Sequence, residues 1–191
     1  MRKHAGLPIL GLTMLLAGCS LLSRSQVRIY TLETLPGQIA NVRGVPIGID
    51  SVELPPGLDR REIVVRKGDR QLDVRTAELW QASLAPMVRH TMAFDLAGRL
   101  PDGMVVLPGA ARPDGPVRSI DLAFQELAAG PDAKVVLDAR WTLRQSGLAD
   151  VARRERIDVD IASLDSANIA SGMSRALAAL ADRIVTGLTA P

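Results

Sequence analysis

Apolar residues recur with a period of two through most of this chain and with a period near four in two stretches. Ile120, Leu122 and Phe124 alternate with Ser119, Asp121 and Gln125. Val135, Leu137, Ala139, Trp141 and Leu143 alternate with Val136, Asp138, Arg140, Thr142 and Arg144. Ala129-Gly130-Pro131-Asp132 between them reads as a turn, so the pair is predicted to form an antiparallel hairpin with one wet face. Shorter strands are expected at 27–32, at 45–54 with Ile47 and Ile49 inward, and at 63–66 and 72–75 around Lys67-Gly68-Asp69. Two more are expected at 104–107 and through Ile157, Val159 and Ile161. Pro36-Gly37, Pro55-Pro56-Gly57 and Pro101-Asp102-Gly103 punctuate them. From Ala77 to about Leu100 the period lengthens, and Trp80, Leu84, Met87, Val88, Thr91 and Leu96 share one helical stripe. Pro86 either kinks that helix or opens a second one. A last helix over 166–188 carries Ile169, Met173, Ala176, Leu177, Leu180, Ile184 and Leu188 on one side, with Asp165 or Ser166 as its cap. The expected fold is α+β in a single domain, a largely antiparallel sheet packed against two long helices.

The first 18 residues stand outside this pattern. Arg2 and Lys3 precede an apolar run from Ala5 to Ala17, broken by Gly6, Pro8 and Gly11. At about 13 residues the run is too short to cross a ~30 Å hydrocarbon core as a helix, and it reads as a secretory signal peptide. Leu16-Ala17-Gly18-Cys19 at its end resembles the bacterial lipobox, in which the cysteine is lipidated and becomes the new N-terminus. Cys19 is the chain's one cysteine and has no disulfide partner within it. Residues 1–18 are thus expected to be a lipoprotein signal peptide, 19–26 a lipidated N-terminus and tether, and 27–191 the folded domain. More than one acyl chain gives stable anchoring. Ser20, rather than Asp, follows the cysteine, which in the sorting scheme of enteric bacteria favours the periplasmic face of the outer membrane. The tether from Ser20 to Gln26 reaches at most about 23 Å, so the domain is expected close to the lipid surface.

Composition narrows the chemistry. The chain has 23 Lys+Arg against 21 Asp+Glu, and the excess leaves with Arg2 and Lys3, so the mature protein is neutral and makes no case for nucleic acid. Aromatics are 3%, too few for a base- or sugar-stacking platform. Of two histidines, His4 lies in the leader and His90 mid-helix, and no Gly-x-Ser-x-Gly elbow occurs. Asp158 and Asp160 share a strand face that reads as its solvated side. No catalytic residue, metal site or cofactor is expected: there is neither ligand spacing nor a phosphate-cradling glycine loop. A lipid-anchored hydrolase using His90 or Asp158 is the weakest reading. Trp80 and Trp141 read as core, and the alanines of the last helix as close-packing positions.

Several stretches taken in order carry a family resemblance. They are Cys19, Arg28-Ile29-Tyr30-Thr31-Leu32, Val52-Glu53-Leu54-Pro55-Pro56-Gly57-Leu58-Asp59-Arg60 with Ile63-Val64-Val65-Arg66, Glu78-Leu79-Trp80, Ala123-Phe124-Gln125, the strand through Trp141 and the helix from Met173. Together they resemble the ABC-type transport auxiliary lipoproteins, the group that includes the lipoprotein of the paraquat-inducible MCE system. Ile29 stands where the family often has a second aromatic. The resemblance implies a non-enzymatic accessory of an envelope lipid-transport system, with an MCE-domain protein and an ABC permease and ATPase as partners. Leu54, Pro55, Pro56, Leu58, Asp59 and Arg60 are the expected partner interface, since a proline-stiffened loop loses little entropy on binding. A plain strand-connecting turn is the competing reading. A stand-alone outer-membrane lipoprotein for envelope assembly or lipid binding is the alternative function, and homo-oligomerisation stays open.

Overall fold

The computed structural model describes residues 26–189 except Asp69 and Arg112; Cys19, the leader and nearly all of the tether lie outside the described residues. The order is β1 (Arg28–Tyr30), β2 (Ile47–Glu53), β3 (Glu62–Arg66), β4 (Leu72–Trp80), α1 (Leu84–Ala97), β5 (Val105–Val106), β6 (Arg118–Gly130), β7 (Lys134–Arg144), β8 (Val151–Asp160) and α2 (Ser166–Thr189).

β6 is the spine of a curled sheet. One of its edges carries β7 antiparallel along its length, with β8 antiparallel beyond. Its other edge is shared end to end. β2 runs parallel to residues 118–123 and β3 meets it in parallel at Ala129. β5 flanks β2, while β4 and then β1 flank β3. Within β6, Ile120, Leu122 and Phe124 face the core at even positions, and Leu127 and Ala129 at odd ones. One extra residue at Gln125, where the register against β7 shifts, makes the change of phase.

The helices lie against each other over this sheet, α1 on β2 and β5, α2 on β7 and β8. Ile47, Ile120, Leu122, Leu137 and Trp141 of the sheet are buried with Leu96, Ile169 and Leu180 of the helices in one cluster. At about 1.5–3 kcal/mol for each fully buried side chain of this size, that cluster is the main stabilising term. Asp165 caps α2, its Oδ1 accepting the Asn168 N–H at 2.9 Å. The small residues of α2 set its distance from the sheet. A Cβ at Gly172 would come within 2.5 Å of Ile161 Cγ2 and 2.8 Å of Val135 Cγ2.

Two expectations are corrected. The sheet is mixed, not largely antiparallel: β1–β4, β2–β5, β2–β6 and β3–β6 are parallel, against three antiparallel pairs. Alternation reports which face a side chain takes and carries no information on strand direction. Nor are there two long helices, for α1 has 14 residues to the 24 of α2. Glu78, Leu79 and Trp80 extend β4 instead, because Arg28, Ile29 and Tyr30 pair with them. Pro86 then falls third in α1, within the first turn, where its missing N–H has no helical acceptor to lose. β8 starts at Val151, six residues before the strand read from Ile157, because its first half is charged or exposed on both faces.

Candidate docking surface

The loop 54–60 leaves the sheet where β2 hands the edge of β6 over to β3. Leu54 is half-buried and packs on the core, and Leu58 is buried. Gly57 takes φ +88°, which glycine adopts without strain, and Leu58 N–H returns to the Pro55 carbonyl at 3.1 Å. Asp59 Oδ1 accepts the Ala85 N–H at 2.9 Å. It thereby caps α1 in place of Ser83, whose side chain makes no capping bond. Arg60 Nε pairs with Glu62 at 3.0 Å, and that hydrogen bond holds the Glu62 carboxyl below the usual range. Of the six expected interface residues, Pro56 and Asp59 are exposed, Leu54, Pro55 and Arg60 are intermediate, and Leu58 turns inward.

Beside this loop the outer flank of α1 forms the wall of a groove with three connected concavities. The largest, about 750 Å³, lies between Thr31–Thr34 and Pro86 and His90. The next, about 470 Å³, shares Pro86 and His90 and is bounded by Asp59 and Val52. The last, about 190 Å³, shares Asp50, Arg89 and Pro108 with it and ends between β2, β5 and β6. The loop and the groove thus form one continuous surface around the start of α1.

The segment between β1 and β2, which follows the tether, is stitched to both helices. Asp95 Oδ1 accepts the Leu35 N–H at 2.8 Å, and Arg99 Nη1 donates to the Leu35 carbonyl at 2.8 Å. Arg99 Nε reaches Asp182 of α2 at 2.6 Å. Gly37 passes so close that a Cβ there would meet Arg99 Nε at 2.5 Å. Ser174 Oγ accepts the Glu33 N–H at 3.0 Å. Asp95 and Arg99 are fully buried, and Asp95 Oδ2 finds no hydrogen-bond partner. Burial pushes the Asp95 carboxyl up to about 6, against the Leu35 N–H and the Arg99 charge, which pull it down. On β4, beside Arg28 of β1, Glu78 accepts from the Ser166 hydroxyl and pairs with Arg75 at 3.0 Å. The Ser166 bond is the largest of the effects that keep its carboxyl low, ahead of Arg75 and the Arg28 charge. Sequence reading passed over Asp95, Arg99 and Arg75; the one available signal was a charge inside an apolar stripe.

The residues weighed for catalysis lie on different elements. His90 is exposed on α1, its ring 4.5 Å from that of Phe94. Asp158 is on β8 beside Arg156 at 3.5 Å, and Asp160 on β8 beside Lys134 at 3.6 Å. Trp80 and Trp141 are in the core.

Comparison with known proteins gives the chain its family. No functionally curated protein matches it. Its fold is similar to that of two crystal structures. One, an uncharacterized protein, has a TM-score of 0.73 at 16% identity, covering 86% of this chain and 99% of that one. The other, a Xanthomonas campestris protein of family-model DUF330, has a TM-score of 0.66 at 13% identity, covering 84% of this chain and 92% of that one. At those identities the likeness concerns the fold alone. A family model described as "ABC-type transport auxiliary lipoprotein component" matches residues 30–185, from the last residue of β1 into the last turns of α2. The chain therefore belongs to the ABC-type transport auxiliary lipoprotein component family.

Proposed function

We propose that this protein is a lipid-anchored, non-catalytic accessory of an envelope lipid-transport system. Cys19 carries the lipid at the periplasmic face of the outer membrane, and the domain docks the MCE-domain subunit of an ABC permease and ATPase. The observation that carries this reading is the family match across nearly the whole folded domain, joined to the lipobox Leu16-Ala17-Gly18-Cys19. The docking surface proposed is the loop 54–60 with the start of α1. Asp59 fixes the loop to the helix, and a surface held rigid before binding loses little entropy on docking. Leu58 acts from within, by holding the loop's shape, and Pro55, Pro56, Asp59 and Arg60 present the contact.

A photo-crosslinking residue placed at Pro56 or Arg60 in cells is expected to capture an MCE-domain protein, whereas one at Asp158 on β8 captures none. Capture at Asp158 and not at Pro56 or Arg60 moves the interface to the sheet edge. Capture at none of the three by an MCE-domain protein counts against the docking role itself.

A further inference from the structure

We propose that the half-open 190 Å³ cavity bordered by α1, β2, β5 and β6 is a binding site for a phosphate-bearing anion, held by Arg89 and Arg118. Arg118 Nε donates to the Val45 carbonyl at 3.1 Å and Arg89 Nε to the Ile49 carbonyl at 3.0 Å. Each guanidinium is thus fixed through Nε to the β2 side of the cavity, and no Nη hydrogen bond of either is made among the described residues. Arg118 Nη2 is sealed from solvent, so contact with a ligand in the cavity falls to Arg118 Nη1 and to the exposed Arg89. Neither arginine has a carboxylate in ion-pair range among the described residues, although nine other Lys and Arg side chains do. Asp50 lies exposed at the mouth shared with the groove and pairs with neither.

The guanidinium N–H groups that make no hydrogen bond within the protein are free to donate to an oxyanion in the cavity. Two planar forks held at one end suit the paired oxygens of a phosphate better than a single-point anion. Ser119 adds a hydroxyl, and Ala93, Val106 and Val117 add apolar wall beside these polar groups. Burial, which lowers the Arg118 pKa, points the same way: the site favours a compensating negative charge. Volume sets the ligand's size. At 190 Å³ the cavity falls below the ~300–1,000 Å³ of sites for drug-sized molecules, so it takes a headgroup and leaves any acyl chain outside. The adjoining groove past Arg89 and Pro108 is open to such a chain. This proposal does not depend on the docking role.

The test uses the full chain in an uncharged detergent and follows backbone amide resonances of Gly109 and Ser119. The probes are glycerol 3-phosphate, dihexanoyl phosphatidic acid and, as the uncharged control, dihexanoylglycerol. Saturable shifts with the phosphate probes and none with the control are expected. In Arg89→Gln the affinity falls about tenfold or more. Arg118→Gln removes the bond to Val45 and can fail to fold, so Ala110→Glu is the second variant. It places a carboxylate at an exposed rim position with both arginines intact and is expected to weaken binding by a similar factor. Tighter binding of phosphatidic acid than of glycerol 3-phosphate assigns the site to a lipid headgroup, and equal binding assigns it to a soluble phosphate ester. Absence of saturable shifts with either phosphate probe at millimolar concentration overturns the proposal, as does unchanged affinity in both variants.

Discussion

Two residues decide how tightly the helices are held, and both can be tested singly. Gly172 is where α2 approaches β7, and a methyl there would overlap Ile161 and Val135 at distances well inside contact. Alanine adds about 1 kcal/mol of helix propensity, but overpacking at approaches this short costs about 2–3 kcal/mol, the upper part of the usual range, so Gly172→Ala is expected to lower stability by about 1–2 kcal/mol. Urea unfolding measures it; an unchanged or raised midpoint contradicts the close packing. Asp95 ties the segment after β1 to α1. Its carboxyl titrates near 6 in the folded protein and near 3.9 when unfolded. The native state therefore binds this proton more tightly, and the stability it supplies is full below about pH 4 and lost as pH rises through 6. That loss is on the order of 2–3 kcal/mol by pH 8. Asp95→Asn keeps an acceptor for Leu35 N–H and cannot ionise. Its unfolding midpoint is expected to exceed the wild type's most at pH 8 and least at pH 4. Parallel pH profiles for the two proteins would contradict a buried, strained carboxylate.

At the scale of elements, the sequence was readable where a single period ran without interruption. The stripe of α2 and the alternation of β7 are of that kind, and both elements are present at their expected places, although Val136 and Asp138 on the expected wet face of β7 are buried as well. The misreadings share a cause: something outside the local pattern decides. The apolar spacing of Trp80 with Leu84 and Met87 suits a helix, yet pairing with β1 draws Glu78, Leu79 and Trp80 into β4. The extra residue at Gln125 reverses the inward phase of β6, hiding its last five residues from any period-two reading. The interface loop was visible as Pro55-Pro56-Gly57, but the inward turn of Leu58 and the capping of α1 by Asp59 depend on where α1 packs. Arg89 and Arg118 were illegible as a pair, being 29 positions apart and joined only by the pairing of β2 with β6. The caps make a direct prediction. Asp165→Ala is expected to cost about 1 kcal/mol, a fall of about 2–4 °C in Tm for a domain of this size, read by thermal unfolding. No fall in Tm would contradict Asp165 as the cap of α2.

For the whole molecule, the mixed sheet places the N-terminal end, β1, as an outer strand of the sheet, with the chain beyond it running back over both helices. In the function proposed, a tether from Ser20 to Gln26 reaching at most about 23 Å keeps the domain near the membrane that holds the lipid. No helix among the described residues is long and apolar enough to cross a membrane. The central claim joins the proposed lipid anchor at Cys19 to a transport partner. The measurement that tests it most directly is crosslinking in intact cells, with purification through a C-terminal tag and mass spectrometry, comparing wild type with Cys19→Ala. The account predicts recovery of an MCE-domain protein together with its permease from the wild type, and its loss from Cys19→Ala. Recovery of the lipoprotein alone, or with outer-membrane assembly factors only, contradicts the docking role and leaves a stand-alone envelope lipoprotein in its place.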